Sequence, residues 1–319
     1  LKRLSKAELE ERLSADVRKR TIIDNTKHGR IIEKVQCTSQ VVLIKYGDDQ
    51  GLGQEVRAYE RLRHFQSSNI PQVFVCEISS SGNTFLALEW IDGRHPDFTS
   101  ERDIHSTYSV LGKWTAEWSD RVGGHDQLSQ DTLDRFFAFN DMLVKHQELI
   151  LTTIGVRLYN QLQFITANQD FILHTMKRMP NTFDPGDISL HNTIIDHHGN
   201  VIFIDFEYAS VRPMIMLFEH YGEGYESIPS TPERIELAMQ AFLKTWNANA
   251  SQPLTWEQFQ CGQVCARCCY KMGKYNYWIK RMADERHREE TLEWIKQDLA
   301  PLEELVRQLE QLVVNDATS

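Results

Sequence analysis

Residues 183–208, FDPGDISLHNTIIDHHGNVIFIDFEY, bring together side chains suited to phosphoryl transfer. That reaction asks little covalent participation of a protein. It needs a carboxylate beside the attacking hydroxyl, oxygen ligands for a metal, and a cation on the non-transferred phosphates. Asp187 and Asn192 stand at the Asp-x-x-x-x-Asn separation at which the first orients or deprotonates the acceptor hydroxyl and the second binds Mg2+. Asp205 ends the apolar run Val201–Ile204. A carboxylate that terminates an otherwise buried strand has a cation to meet, so Asp205 is expected to be the principal Mg2+ ligand. Upstream, Lys45 closes VVLIKY, the position from which a lysine reaches the α- and β-phosphates of ATP. Glu55, in the first turns of the next helix, is its expected ion-pair partner, with Glu60 as the alternative. The run LALEWI, residues 86–91, leads into Asp92-Gly93 and reads as a hinge that receives the adenine, with Glu89, Trp90 and Ile91 as its contacts. Each piece also has an ordinary reading, since a strand-end lysine snorkels and an Asp after Gly caps a turn. Their joint order along the chain carries the chemical reading.

The elements that must position these residues follow from periodicity. Ser5 with Glu8 makes a capping box before an amphipathic run, predicting a helix over 5–20. TIID at 21–24, RIIEKVQ at 30–36 and QVVLIKY at 40–46 are β-branched runs that predict an antiparallel meander. A helix over 53–65 follows, with Val56, Tyr59 and Leu62 on one face, then strands near 72–78 and 83–90 joined by SSSGN. Beyond residue 92 the pattern is helical near 102–121, 131–150 and 155–178, interrupted by a hairpin at 193–196 and 201–205 around HHGN. Ser-Thr-Pro-Glu at 230–233 and Thr255 with Gln258 start two more helices, and apolar spacing from about 284 predicts another running to near the end. The expected class is α+β with two lobes: a nucleotide-binding lobe over 1–91 that includes the first helix, and a catalytic and acceptor-binding helical lobe over 92–319.

Composition narrows the alternatives. With 319 residues, 41% apolar and 25% charged, the chain is ordinary for a globular protein. A formal charge of −10 argues against nucleic acid and mildly favours a cationic substrate or none in particular. No run is long and apolar enough for a membrane span, so no membrane partner and a cytoplasmic location are expected; the start on Leu1 leaves a preceding segment open. Cys261, Cys265, Cys268 and Cys269 fall on one helical stripe, which favours packing as small hydrophobes over a zinc site. The oligomeric state is not legible.

GDISLHN and VIFIDFEYA resemble the aminoglycoside phosphotransferase and choline kinase superfamily of protein-kinase-like enzymes, a likeness extending over about residues 20–210. The resemblance implies Asp187 as catalytic base, Asn192 and Asp205 as metal ligands, and Lys45 with Glu55 as the phosphate-binding pair. IDFEYA is similar to the choline and ethanolamine kinase form of the metal strand, which implies Glu207 as a further acidic residue close to Mg2+. Two departures stand out. Pro185 fills the place of the usual His two residues before the catalytic Asp, so proline either fixes the loop by its restricted φ or leaves it looser and turnover slow. The turn NTKHGR at 25–30 has one glycine, Gly29, where a glycine-rich loop lets backbone approach phosphate, leaving Lys27, His28 and Arg30 as phosphate contacts or solvated hairpin residues.

The reading is an ATP- and Mg2+-dependent phosphotransferase that moves the γ-phosphoryl group to a small-molecule hydroxyl, with an amino sugar or amino alcohol among the fitting acceptors. Tyr270, Tyr275, Tyr277 and Trp278, with Asp284, Glu285, Glu289 and Glu290 nearby, suit an ammonium ligand and equally suit a packed helix followed by a solvated one. Glu219, His220 and Glu223 are further candidates. A peptide or protein kinase, and a pseudokinase that binds nucleotide or a partner without turnover, are the alternatives.

Overall fold

The early β-branched runs fold as strands β1 (Val17–Asp24), β2 (Ile31–Cys37) and β3 (Val41–Gly47), an antiparallel meander. With β4 (Val73–Ile78) and β5 (Thr84–Glu89) they make one five-stranded sheet in the order β1-β2-β3-β5-β4, so β3 is its middle strand. The computed structural model describes residues 3–24, 29–63, 69–79, 83–122 and 130–317. Lys27 and His28, the end of the helix expected at 64–65, and residues 80–82 of the SSSGN turn lie outside them. The chain divides into two compact units, one of Leu1–Val110 with Asp184–Ser210 and one of Leu111–Phe183 with Val211–Ser319.

In the first unit the period-2 alternation of β3 sorts side chains to two destinations. Val42, Ile44 and Tyr46 join Val35, Phe85 and Ala87 in an apolar cluster with Leu9 and Leu13 of α1 (Lys6–Leu13). Leu43 and Lys45, of opposite parity, line a cavity on the other face. The capping box of α1 is present, with the Ser5 hydroxyl accepting from the Glu8 N–H and the Glu8 carboxylate from the Ser5 N–H. The helix expected over 5–20 nevertheless ends at Leu13, where Ser14 turns left-handed at φ +48°. Residues 17–20 belong to β1 instead. Arg18 and Lys19, which pass for the polar face of a helix, are the exposed charges of an edge strand, and Arg20 reaches the buried Glu33 of β2 at 2.9 Å. The helix α2 (Gln50–Arg63) buries Leu52, Glu55, Val56, Tyr59 and Leu62 along one stripe.

Residues 184–210 cluster with this sheet. Short strand β6 (Gly93–Arg94) pairs with β8 (Thr193–Asp196), which pairs with β9 (Val201–Phe203) in the expected hairpin. Asp196 Oδ1 accepts the N–H groups of His198 and Asn200 at 2.8 Å each, closing the turn. The strand expected to run to Asp205 stops at Phe203, because Asp205 adopts φ +63°, outside the extended region.

The helix α3 (Glu101–Val122) begins in the first unit and continues into the second. There follow α4 (Gln130–Lys145), α5 (Gln147–Thr153), α6 (Val156–Ala167) and α7 (Gln169–Arg178), then β7 (Asn181–Asp184), β10 (Ser210–Pro213), α8 (Pro232–Asn249), α9 (Trp256–Met282) and α10 (Arg288–Ala317). Each helix expected over 131–150 and 155–178 is broken in two. The breaks fall at His146 and at Asn168, whose backbone leaves helical values and whose side-chain amide donates to the Phe164 carbonyl at 2.8 Å. Phe218 meets Phe242 and Phe259 edge to face at 5.0 and 5.3 Å in the core of this unit. Cys265, Cys268 and Cys269 are fully buried on α9, as small apolar side chains are, and Cys261 is half-buried. Among the described residues no helix is long and apolar enough to cross a membrane.

Candidate active site

Lys45 sits on the middle strand with hydrophobic neighbours along both ladders, Ile32 on one side and Leu86 on the other. Its Nζ donates to both carboxylate oxygens of Glu55, at 2.8 and 2.9 Å, and to Asp205 Oδ1 at 3.2 Å. Glu55 is wholly buried on the apolar stripe of α2, whereas Glu60 is exposed on the far side of the helix. Burial by itself favours a neutral lysine, but Glu55 and then Asp205 outweigh it, and the Lys45 pKa is raised. Lys45 is thus a desolvated cation facing two carboxylates.

Asp184, Pro185 and Gly186 build the turn that presents Asp187. Asp184 is buried and its Oδ1 accepts the Gly186 N–H at 2.6 Å, an Asx turn that anchors the loop where a histidine is absent. Gly186 adopts φ +91°, and a Cβ there would stand 2.4 Å from the Tyr208 carbonyl oxygen. Gly186→Ala is therefore expected to cost about 1–3 kcal/mol and to lower turnover, checked by denaturant unfolding beside a rate assay; unchanged values for both would show that the loop does not need this conformation. Beyond it, Asn192 Nδ2 donates to Asp187 Oδ2 at 2.8 Å, and the Asn192 carbonyl accepts the Ile204 N–H at 2.9 Å, tying the loop to the segment that carries Asp205. The amide orientation that serves Asp187 leaves the Asn192 oxygen as a donor for a cation. An Asn oxygen and the one-third exposed Asp205 carboxylate are hard oxygen donors of the kind Mg2+ takes, and they fit it. Among the described residues no group of three or more His, Cys, Asp or Glu side chains forms a metal cluster, so water or phosphate oxygens would complete the shell.

Glu207 is engaged elsewhere: its Oε2 is 2.7 Å from Arg30 Nη2, and the same guanidinium grips Asp49 through Nε and Nη2 at 2.7 and 2.6 Å. Neither Asp49 nor the Arg30 bridge is foreshadowed by a motif, although Arg30 belongs to the turn expected to face phosphate.

A cavity of about 330 Å³ is lined by Lys45, Asn192, Asp205 and by Glu89, Trp90 and Ile91, the residues expected to form a hinge. The Glu89 and Trp90 N–H groups donate to the Gln72 and Val41 carbonyls at 2.8 and 3.0 Å, so these two amides serve the sheet. The Trp90 ring carries Lys34 Nζ 3.9 Å from its centroid, and its Nε1–H donates to Asp92 at 2.7 Å. His95 and His191 also line the cavity, with His95 Nδ1 2.9 Å from the Thr193 carbonyl oxygen. Sequence reasoning missed both, although His191 lies inside GDISLHN.

In the second unit Glu219, Glu223, Asp284 and Glu290 among the acidic candidates are already matched by cations. Glu219 is buried between Arg135 and Arg212 at 3.0 Å each, and Glu223 between Lys271 and Lys274, with Asp298 also contacting both lysines. Asp284 pairs with Arg286 and Glu290 with Arg281, at 2.7 Å each. Tyr275 is buried, Tyr270 shares a hydrogen bond with Tyr225 at 2.7 Å, and Trp278 receives Lys274 on its face at 4.5 Å. Tyr277 is exposed.

No protein-family model matches the sequence, and no curated protein matches it. Solved structures do. An aminoglycoside phosphotransferase from Alicyclobacillus acidocaldarius superposes with a TM-score of 0.60 at 12% identity, over 99% of this chain and 98% of that one. A spectinomycin phosphotransferase in complex with ADP and spectinomycin gives 0.58 at 11% identity, over 96% and 97% of the two chains. A choline kinase from Cryptosporidium parvum gives 0.57 at 11% identity, over 93% and 91%. The chain has the two-lobed protein-kinase-like fold of the aminoglycoside phosphotransferases and choline kinases, as the resemblance of its two motifs implied.

Proposed function

We propose that the protein is an ATP- and Mg2+-dependent phosphotransferase that moves the γ-phosphoryl group to a hydroxyl of a small molecule. The observation that carries the reading is Lys45, held between the buried Glu55 and Asp205 in the cavity that Asn192 also lines. In this reading Lys45 binds the non-transferred phosphates and Glu55 fixes its position. Glu89, Trp90 and Ile91 border the base, with the carbonyl groups and side chains of the hinge contributing more than the Glu89 and Trp90 amides. Asp205 and Asn192 would hold Mg2+, with Glu207 as the further acidic group; when bound, the ion neutralises charge on the phosphate oxygens. Asp187, steadied by the Asn192 amide, orients the acceptor hydroxyl and takes its proton as the acceptor oxygen bonds to the γ-phosphorus and the bond from that phosphorus to the β–γ bridging oxygen breaks, releasing ADP. The boundary of the nucleotide-binding lobe is set at residue 91, where the hinge ends. The fold shared with enzymes of aminoglycosides, spectinomycin and choline supports a small-molecule acceptor, amino sugars and amino alcohols being the first to try.

A second reading, nucleotide binding without transfer, is favoured by one observation: Glu207 is paired with Arg30. Both readings are decided by measuring Mg2+-dependent ATP consumption against a panel of amino alcohols, amino sugars, neutral sugars and hydroxyl-bearing peptides. The expected result is acceptor-stimulated consumption that Asp187→Ala lowers by about 10²–10⁴-fold while ATP still binds. ATP binding with no turnover on any acceptor would instead establish the pseudokinase.

A further inference from the structure

Arg30 repeats, beside Lys45, the kind of ties that Lys45 makes. Ile32 lies directly opposite Lys45 in the β2–β3 ladder, and residues two apart on a strand share a face. A Cβ on Gly47 would be 3.5 Å from the Arg30 Cα, which places Arg30 opposite Gly47 and on the same face as Lys45, one step nearer the strand end. Lys45 joins Glu55 of α2 to Asp205 after β9. Arg30 joins Asp49, whose Oδ1 accepts the Leu52 N–H at 2.9 Å at the start of α2, to Glu207 after β9. Two cations side by side thus make the same pair of ties. Gly51 makes room for the second: a Cβ there would stand 2.4 Å from Arg30 Nη2 and 2.9 Å from Glu207 Oε2. Arg30 is 13% exposed, and its fork carries N–H groups beyond those its carboxylate contacts require.

We propose that Arg30 is a second phosphate-binding cation of this site, which exchanges Glu207 for the terminal phosphate of a bound nucleotide. The proposal rests on the phosphotransferase reading. A nucleoside triphosphate is a polyanion, while Lys45 is one cation already matched by two carboxylates. The sequence NTKHGR at 25–30 has one glycine, Gly29, where glycine-rich loops use several to bring backbone amides to phosphate. A guanidinium at the end of that segment supplies the missing charge, and its departure leaves Glu207, two residues past Asp205, without its cation.

The test is calorimetric titration of the full chain with adenosine, ADP and ATP, in EDTA and in Mg2+. Arg30→Gln is expected to weaken ATP by about 10–100-fold, the loss of charge-assisted hydrogen bonds, and to leave adenosine unchanged. Glu207→Gln removes the competitor and is expected to strengthen Mg2+-free ATP binding, a gain that disappears in Arg30→Gln/Glu207→Gln. Equal weakening of adenosine and ATP by Arg30→Gln would reduce Arg30 to a structural tie. Unchanged or weaker Mg2+-free ATP binding by Glu207→Gln would overturn the exchange, and this arm decides alone should Arg30→Gln fail to fold. If the wild-type chain binds none of the three ligands, the phosphotransferase reading falls together with the Arg30 assignment. If it binds ATP in a Lys45-dependent way and Arg30→Gln changes nothing, only the Arg30 assignment falls.

Discussion

Lys45→Met is expected to abolish phosphoryl transfer and to cost about 3–5 kcal/mol of stability, because it leaves a buried carboxylate without its cation. The Glu55 carboxylate is wholly buried and both its oxygens face Lys45 Nζ. Burial pushes the Glu55 pKa up and Lys45 is the main opposing influence. Without the lysine, Glu55 in the folded variant takes up a proton at a pH where the unfolded chain is still ionised. The folded state then binds more protons than the unfolded one, so stability is retained at and below the ordinary carboxylate range and lost as pH rises above it. Urea unfolding of wild type and variant between about pH 5 and pH 8 should therefore show a gap that widens with pH. A gap independent of pH would mean that Glu55 is not the source of the loss. Lys45→Met/Glu55→Leu should recover much of the stability and none of the transfer, which separates the structural role of the pair from its role toward phosphate.

Asp205→Asn is expected to eliminate the strengthening of nucleotide binding by Mg2+ and to lower transfer by at least about a hundredfold. The substitution suits the backbone: Asp205 sits at φ +63°, a left-handed conformation that Asn adopts readily. Lys45 keeps Glu55, so the buried pair survives and stability should change by no more than about 1 kcal/mol. Titration of ATP with and without Mg2+, beside thermal unfolding, reads both effects. If Mg2+ still tightens ATP binding to the variant by the wild-type factor, the principal ligand lies elsewhere.

The parts of the site readable from the chain are those whose geometry is local. Lys45 could be placed because β3 alternates, with Val42 and Ile44 committed to the core beside α1 and Lys45 therefore to the opposite face. Glu55 is distinguishable from Glu60 by helical phase, since it shares a stripe with Leu52, Tyr59 and Leu62. The Asp187–Asn192 contact is likewise set by a short loop. The Asp184 anchor had a local signal, an Asp two residues before a Gly, but its burial and the close approach of Gly186 to Tyr208 depend on packing. The first helix was overextended because Arg18, Lys19 and Arg20 satisfy a helical polar face as well as an edge strand; the cross-strand reach of Arg20 to Glu33 distinguishes the two.

The order of charged and apolar residues along residues 183–208 and around Lys45 suffices for the hairpin and the strand that carries the lysine, and it is what suggests phosphoryl transfer. Which charges meet was decided by tertiary structure alone. Arg30 finds Asp49 and Glu207, and Glu219 finds Arg135, because strands and helices bring segments distant in sequence to within a hydrogen bond of one another. An ion pair depends on distance and desolvation in space, and neither is encoded in spacing along the chain. Residues 183–208 therefore carry the proposed catalytic groups, while the fold alone reveals that Glu207 is held by Arg30.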